Sequence, residues 1–251
     1  MIGELRQLFN EGLESLYHDE RPLPPGACPF VPYVGENYET APLRVLIVGK
    51  ATYGWGDNEI ETIADATRNH ADYDRLSSIA KDFMRVRVRP FYGKYSLDEK
   101  QDTKLEDTNP YCSAFWNTIF RIMGALLDND FTYERTRSNS DRRFKSIAWS
   151  NVFKLAEIGG NPNNALRDLS SRHLNTLARE IEILMPNLIL FPTGVGYDRY
   201  ISRALAIPDL PSEPVHLFAA GGAKAVRTRH YMGMTGTARD TLIDQVKSIV
   251  G

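Results

Sequence analysis

Three stretches of the chain bring together residue types able to do chemistry. The first is GKATYGWGDN, Gly49 to Asn58, where Gly49, Gly54 and Gly56 bracket two aromatics. Glycines let a backbone approach a ligand closely, and Tyr53 and Trp55 offer flat apolar faces to a planar ring. A tight turn whose aromatics cover the core would use the same residues. The second is Asn151 in WSNVFKL, a carboxamide inside an apolar run. Left unsatisfied, such a buried group costs about 1–3 kcal/mol, so it must find partners. Either the backbone supplies them, or its donor and acceptor read the edge of a base. The third is His230 in VRTRHYMGM, just after Arg227 and Arg229. A histidine beside two arginines suits an anionic ligand or a general acid, although a single histidine is as often structural. His18, His70, His173 and His216 have no comparable setting.

Several other chemistries lack their sequences. There is no G-x-S-x-G elbow for a serine nucleophile. Neither a phosphate-binding G-x-x-x-x-G-K-[ST] loop nor a G-x-G-x-x-G turn follows the first apolar strand. No close pair of histidines suggests a metal, and two cysteines, Cys28 and Cys112, are too few for a cluster or a disulfide scaffold. No cofactor and no metal are therefore expected. The net charge of −2 excludes little, because nucleic-acid binding needs a local basic face rather than a basic total. Basic stretches at Arg85–Arg89 and Arg135–Lys145 read as solvated faces or as tracks for a phosphate backbone.

These residues need a scaffold. With 251 residues, 42% hydrophobic and 25% charged, the chain has the composition of a globular protein large enough for a substantial core. The N-terminus has apolar residues at helical spacing and no signal-like apolar core, and no run approaches the ~20 residues of a membrane span. A cytoplasmic monomer without membrane contact is the expectation.

A helix is predicted over residues 2 to 18, then a proline-rich extended loop from 21 to 34. LRVLIVG, Leu43 to Gly49, is a continuous branched-apolar run of the kind found in strands buried on both faces. Helices follow near 59–70 and 73–84, and again at Ala114–Leu127. Ile147–Leu155 reads as a second strand, Ser170–Leu184 as one helix stopped by Pro186, and Asn187–Phe191 as a third strand. For the fourth, Val215–Ala219 and Ala225–Arg229 compete, or pair as a hairpin across Gly221-Gly222. A helix from about Thr237 to Val250 closes the chain. Strands alternating with helices imply an α/β protein, a three-layer αβα arrangement around a central four-stranded, mostly parallel sheet. Open sheets of that type keep ligands at the carboxyl ends of their strands, where all three stretches fall. One domain is expected over residues 1–251, with 1–40 as an extension and 41–251 as its core.

In their order, these segments resemble the uracil-DNA glycosylase superfamily. LRVLIVGKATYGWGDN resembles its first strand and loop, and AFWNTIFRIMGALL the "FW" helix of the mismatch-specific branch. IAWSNVFKL is similar to the "TNVVK" strand of the thermostable branch. HLNTLAREIEILMPNLILFPTG resembles the helix and third strand, and RTRHYMGM takes the place of the terminal His-Pro-Ser motif. The first loop has neither the family's proline nor its acid, and the cluster cysteines of the thermostable branch are missing.

The resemblance implies a protein that acts on DNA and hydrolyses the N-glycosidic bond of uracil or another damaged base after flipping it out of the stack. On that reading Gly49, Ala51, Tyr53, Trp55 and Asn151 bind the base, and His230 donates to the oxyanion that develops on it. Arg227 or Arg229 holds a flanking phosphate, and Asp57, with Asn58 beside it, is the nearest group able to position water. Two alternatives stand beside it: a non-catalytic member of the fold that binds a nucleobase, nucleotide or nucleic acid, and an unrelated α/β enzyme acting on a small polar metabolite.

Overall fold

Short runs of branched apolar residues without polar alternation suit strands covered on both faces, and the sheet is built from them. A computed structural model describes residues 1–51, 59–84, 114–127, 143, 145–157, 161–231 and 236–250. In chain order these form α1 (Ile2–Asp19), β1 (Cys28–Pro29), β2 (Tyr33–Val34), β3 (Val45–Gly49), α2 (Glu59–Thr67), α3 (Tyr73–Phe83) and α4 (Ala114–Leu127). Then come β4 (Ile147–Asn151), β5 (Leu155–Ala156), α5 (Asn164–His173), α6 (Leu177–Leu184) and β6 (Leu188–Phe191). A 3₁₀ turn (Val195–Tyr197) leads into α7 (Asp198–Leu205), followed by β7 (His216–Ala220), β8 (Ala223–Arg227) and α8 (Gly236–Val250).

The fold is mixed α/β with a mostly parallel sheet, but that sheet has six strands rather than four, ordered β2-β4-β3-β6-β8-β7. The inner four, β4, β3, β6 and β8, are parallel. Each edge carries one antiparallel addition, β2 on β4 and β7 on β8. The two candidates for the fourth strand are thus both strands. β8 is the parallel one, and β7 pairs with it across Gly221 and Gly222, whose φ values of 57° and 82° suit a two-residue hairpin that only glycine adopts without strain.

Strand periodicity sorts the core into two layers. Val45 and Ile47 face a cluster with Trp116, Ile119 and Phe120 of α4 and Leu242 and Val246 of α8. Leu46 and Val48 face the opposite cluster, with Phe9 and Leu13 of α1, Leu169 of α5, Ile181 of α6 and Ile201 of α7. The N-terminal segment is therefore part of the packing: α1 closes one face, and the proline-rich loop supplies the edge strand β2.

One expected helix divides. Ser170–Leu184 is two helices, α5 and α6, interrupted at Leu174–Thr176. Asn163, whose side chain accepts the Leu166 N–H, caps the first of them in place of Ser170 or Ser171. Ser170 instead turns its hydroxyl inward to accept the Lys154 N–H at 2.7 Å. Among the described residues no helix is long and apolar enough to cross a membrane.

Candidate functional site

Parallel order brings four strand ends to one edge, and those of β3, β4 and β8 lead to the three stretches singled out in the sequence. Gly49 and Asn151 are register partners at the ends of β3 and β4. Beyond them the two exits stay bonded, Val152 N–H to the Gly49 carbonyl at 2.8 Å and Phe153 N–H to that of Lys50 at 3.0 Å. On the other side the exits of β6 and β8 are joined by Thr228 N–H to Phe191 O and Gly194 N–H to Thr228 O, both 2.9 Å.

Asn151 is 1% exposed. By strand parity it points to the α4 side with Trp149, while Ser150 points to the α6 side. Glycine at position 49 is dictated by that amide: a Cβ there would lie 2.5 Å from Asn151 Oδ1. Gly49→Ala is expected to displace the amide and cost about 1–3 kcal/mol, typical of overpacking. Denaturant midpoints measure the stability loss, and an unchanged midpoint would show that the amide moves freely.

Ser150 belongs to a network that holds the Asn151 turn from behind. Lys154 and Glu180 are both fully buried and paired at 2.8 Å. Lys154 Nζ also donates to Ser150 Oγ at 2.6 Å and to the Asn151 carbonyl at 2.5 Å. Ser150 Oγ and Thr176 Oγ1 each donate to Glu180 at 2.5 Å. Burial pushes the Lys154 ammonium toward deprotonation, and Glu180 opposes that.

His230 lies over the β6 exit, where a Cβ on Gly194 would come within 3.6 Å of its backbone nitrogen, and its ring lies 6.2 Å from that of Phe115. Burial, and next the Lys50 charge, lower its pKa to about 4, so the imidazole is neutral at physiological pH. A neutral ring keeps one N–H donor and one acceptor. Burial also lowers the pKa of Lys50. Its Nζ lies 5.2 Å from the centre of the Tyr197 ring. The edge therefore presents a buried amide, a cation and a neutral imidazole. Together these can grip a planar polar group and stabilise negative charge that develops on it.

Gly49, Ala51, Asn151 and His230 thus fall along one edge. Tyr53, Trp55 and Asp57 lie outside the described residues. Arg229 is exposed, beside Pro214, Val215 and Leu242 at the outer end of β8. Arg227 is placed differently from its expected phosphate-holding role. Parity turns it to the α7 side, where it is fully buried, ion-paired through Nε with Asp198 at 2.9 Å, and donates to the carbonyls of Glu213 and Pro211. Lys50 was the overlooked member, although it is the only charged residue in the seven that close β3 and open its exit. Among the described residues no group of three His, Cys, Asp or Glu side chains is arranged for a metal ion. Comparison of the chain with models of protein families, and with curated proteins, finds no match in either.

Proposed function

We propose that the chain is a base-excising DNA glycosylase of the uracil-DNA glycosylase type, acting at the carboxyl edge around Gly49–Ala51, Asn151 and His230. The observation that carries this reading is the neutral His230 held beside the Lys50 cation, on the same strand edge as the buried Asn151 amide. The resemblance noted in the sequence lends support, because its strand-end motifs all belong to this edge. A flipped base would be read by Asn151. The bond from the base nitrogen to C1′ of the sugar then breaks, its electron pair staying on the base. Water adds to C1′, and its proton ends on the departing base. His230 N–H and the Lys50 ammonium stabilise the base anion as it forms. Such preorganised donors are typically worth about 3–4 kcal/mol.

A second reading, a base or nucleotide binder without turnover, is favoured by the exit loop of β3, which opens with Lys50 where an acid would be needed to position water. Labelled oligonucleotides carrying uracil, hypoxanthine, xanthine or a mismatch separate the two. Abasic sites formed from at least one substrate are expected. Salt-dependent binding with no release from any of them establishes the second reading instead.

A further inference from the structure

Next to this edge, and resting on its reading as a base site, stands a group of three cations and three aromatic rings. The Arg167 guanidinium lies 5.6 Å from the ring centre of Phe153 and 5.9 Å from those of Tyr197 and Tyr200. Arg199 sits 4.5 Å over the Tyr200 ring and donates to its hydroxyl. Lys50 faces Tyr197. The rings touch one another, Phe153 to Tyr200 at 4.9 Å and Tyr197 to Tyr200 at 5.7 Å.

Two observations point beyond packing. Among the described residues, none of the three cations has a carboxylate within ion-pair distance. Like charges gathered without counter-charge repel, and each gains when an anion arrives. The Tyr197 hydroxyl is also buried without a hydrogen-bond partner among the described residues, in a side chain only 8% exposed. Arg199 is exposed and Tyr200 half-buried, so the outer rim of the group is reachable. Cations that neutralise phosphates, set beside rings on which bases stack, are what single-stranded nucleic acid requires. A duplex hides its base faces and cannot use the rings.

We propose that Arg167, Arg199 and Tyr200 hold a short single-stranded stretch of DNA flanking the base that enters the site, the two arginines on its phosphates and Tyr200 under a base, while Lys50 faces the base site itself.

The test is fluorescence anisotropy of the full chain with a fluorescein-labelled twelve-nucleotide thymidine strand, its duplex and the matching uridine RNA, across a salt series. The single DNA strand is expected to bind tightest. Arg167→Gln and Arg199→Gln should each flatten the slope of log K against log salt by about 0.7. Tyr200→Ala should weaken binding roughly 5- to 150-fold and leave the slope unchanged. Arg199 is exposed, so its variant reads binding without loss of fold, which thermal melts check. Unaltered slopes in both arginine variants, tighter binding of duplex or RNA, or no binding at all would overturn the proposal. Base excision with unaltered slopes removes this strand-binding role and leaves the base site standing. Flattened slopes without excision keep the strand-binding role and remove the glycosylase reading.

Discussion

Lys154→Met should lower the stability of the fold by about 3–5 kcal/mol. The ammonium and the Glu180 carboxylate are both fully buried. Their desolvation is tolerated because each charge meets the other and because Ser150, Thr176 and the Asn151 carbonyl satisfy what remains. Removing the lysine strands a carboxylate in an apolar layer with only two hydroxyls for company. Glu180→Gln should cost a similar amount for the mirror reason. Lys154→Met combined with Glu180→Met should recover most of the loss, since a buried pair replaced by apolar groups of like volume is often neutral. Urea midpoints of the three variants decide, and a single variant costing under about 1 kcal/mol would show that the pair is not dry. The rescued double variant carries a further expectation. It lacks the bond from Nζ to the Asn151 carbonyl, so it should fold well and still bind a base poorly.

The strands were legible because burial on both faces leaves a compositional mark. LRVLIVG and NLILF are short, apolar and without polar alternation, the pattern of strands inside a sheet, as β3 and β6 are. The hairpin of β7 and β8 was legible from paired glycines between two short runs. Features created by tertiary contact left no such mark. β1 and β5 are two residues each and exist because Cys28–Pro29 and Leu155–Ala156 happen to meet. HLNTLARE contains no glycine or proline, so nothing local announces the break between α5 and α6. That break serves Ser170 and Thr176, whose hydroxyls turn to Lys154 and Glu180.

The candidate site divides in the same way. Gly49 and Asn151 stood out as odd residues at the ends of apolar strands, a local signal. Arg227 and Arg229 looked alike as two bases near a histidine. Period-two geometry separates them, because Arg227 still lies on β8 and points into the α7 layer, whereas Arg229 has left the strand. The Lys154–Glu180 pair, 26 residues apart, could not be foreseen from either residue's surroundings.

His230→Ala should lower single-turnover base release by about 10²–10³-fold, the usual consequence of removing one preorganised donor to a developing oxyanion. His230→Gln keeps an N–H and should restore part of that rate, an effect that simple loss of packing would not produce. The titration of the ring gives a check independent of activity. With its pKa lowered to about 4, folded His230 binds its proton later than an unfolded histidine, which titrates near 6.5. Between those values the unfolded chain carries more protons, so stability contributed by the neutral ring is complete above about pH 6.5 and is lost as pH falls toward 4. His230→Gln should remove that part of the acid slope in denaturant midpoints measured from pH 7 to 4. The His230 ring resonances should titrate near pH 4 in the wild type, and at higher pH in Lys50→Met, where burial acts without the neighbouring cation. A midpoint near 6.5 in the wild type would mean that the ring is hydrated and charged under acid conditions. It would also show that neither burial nor the Lys50 charge holds the ring neutral in acid.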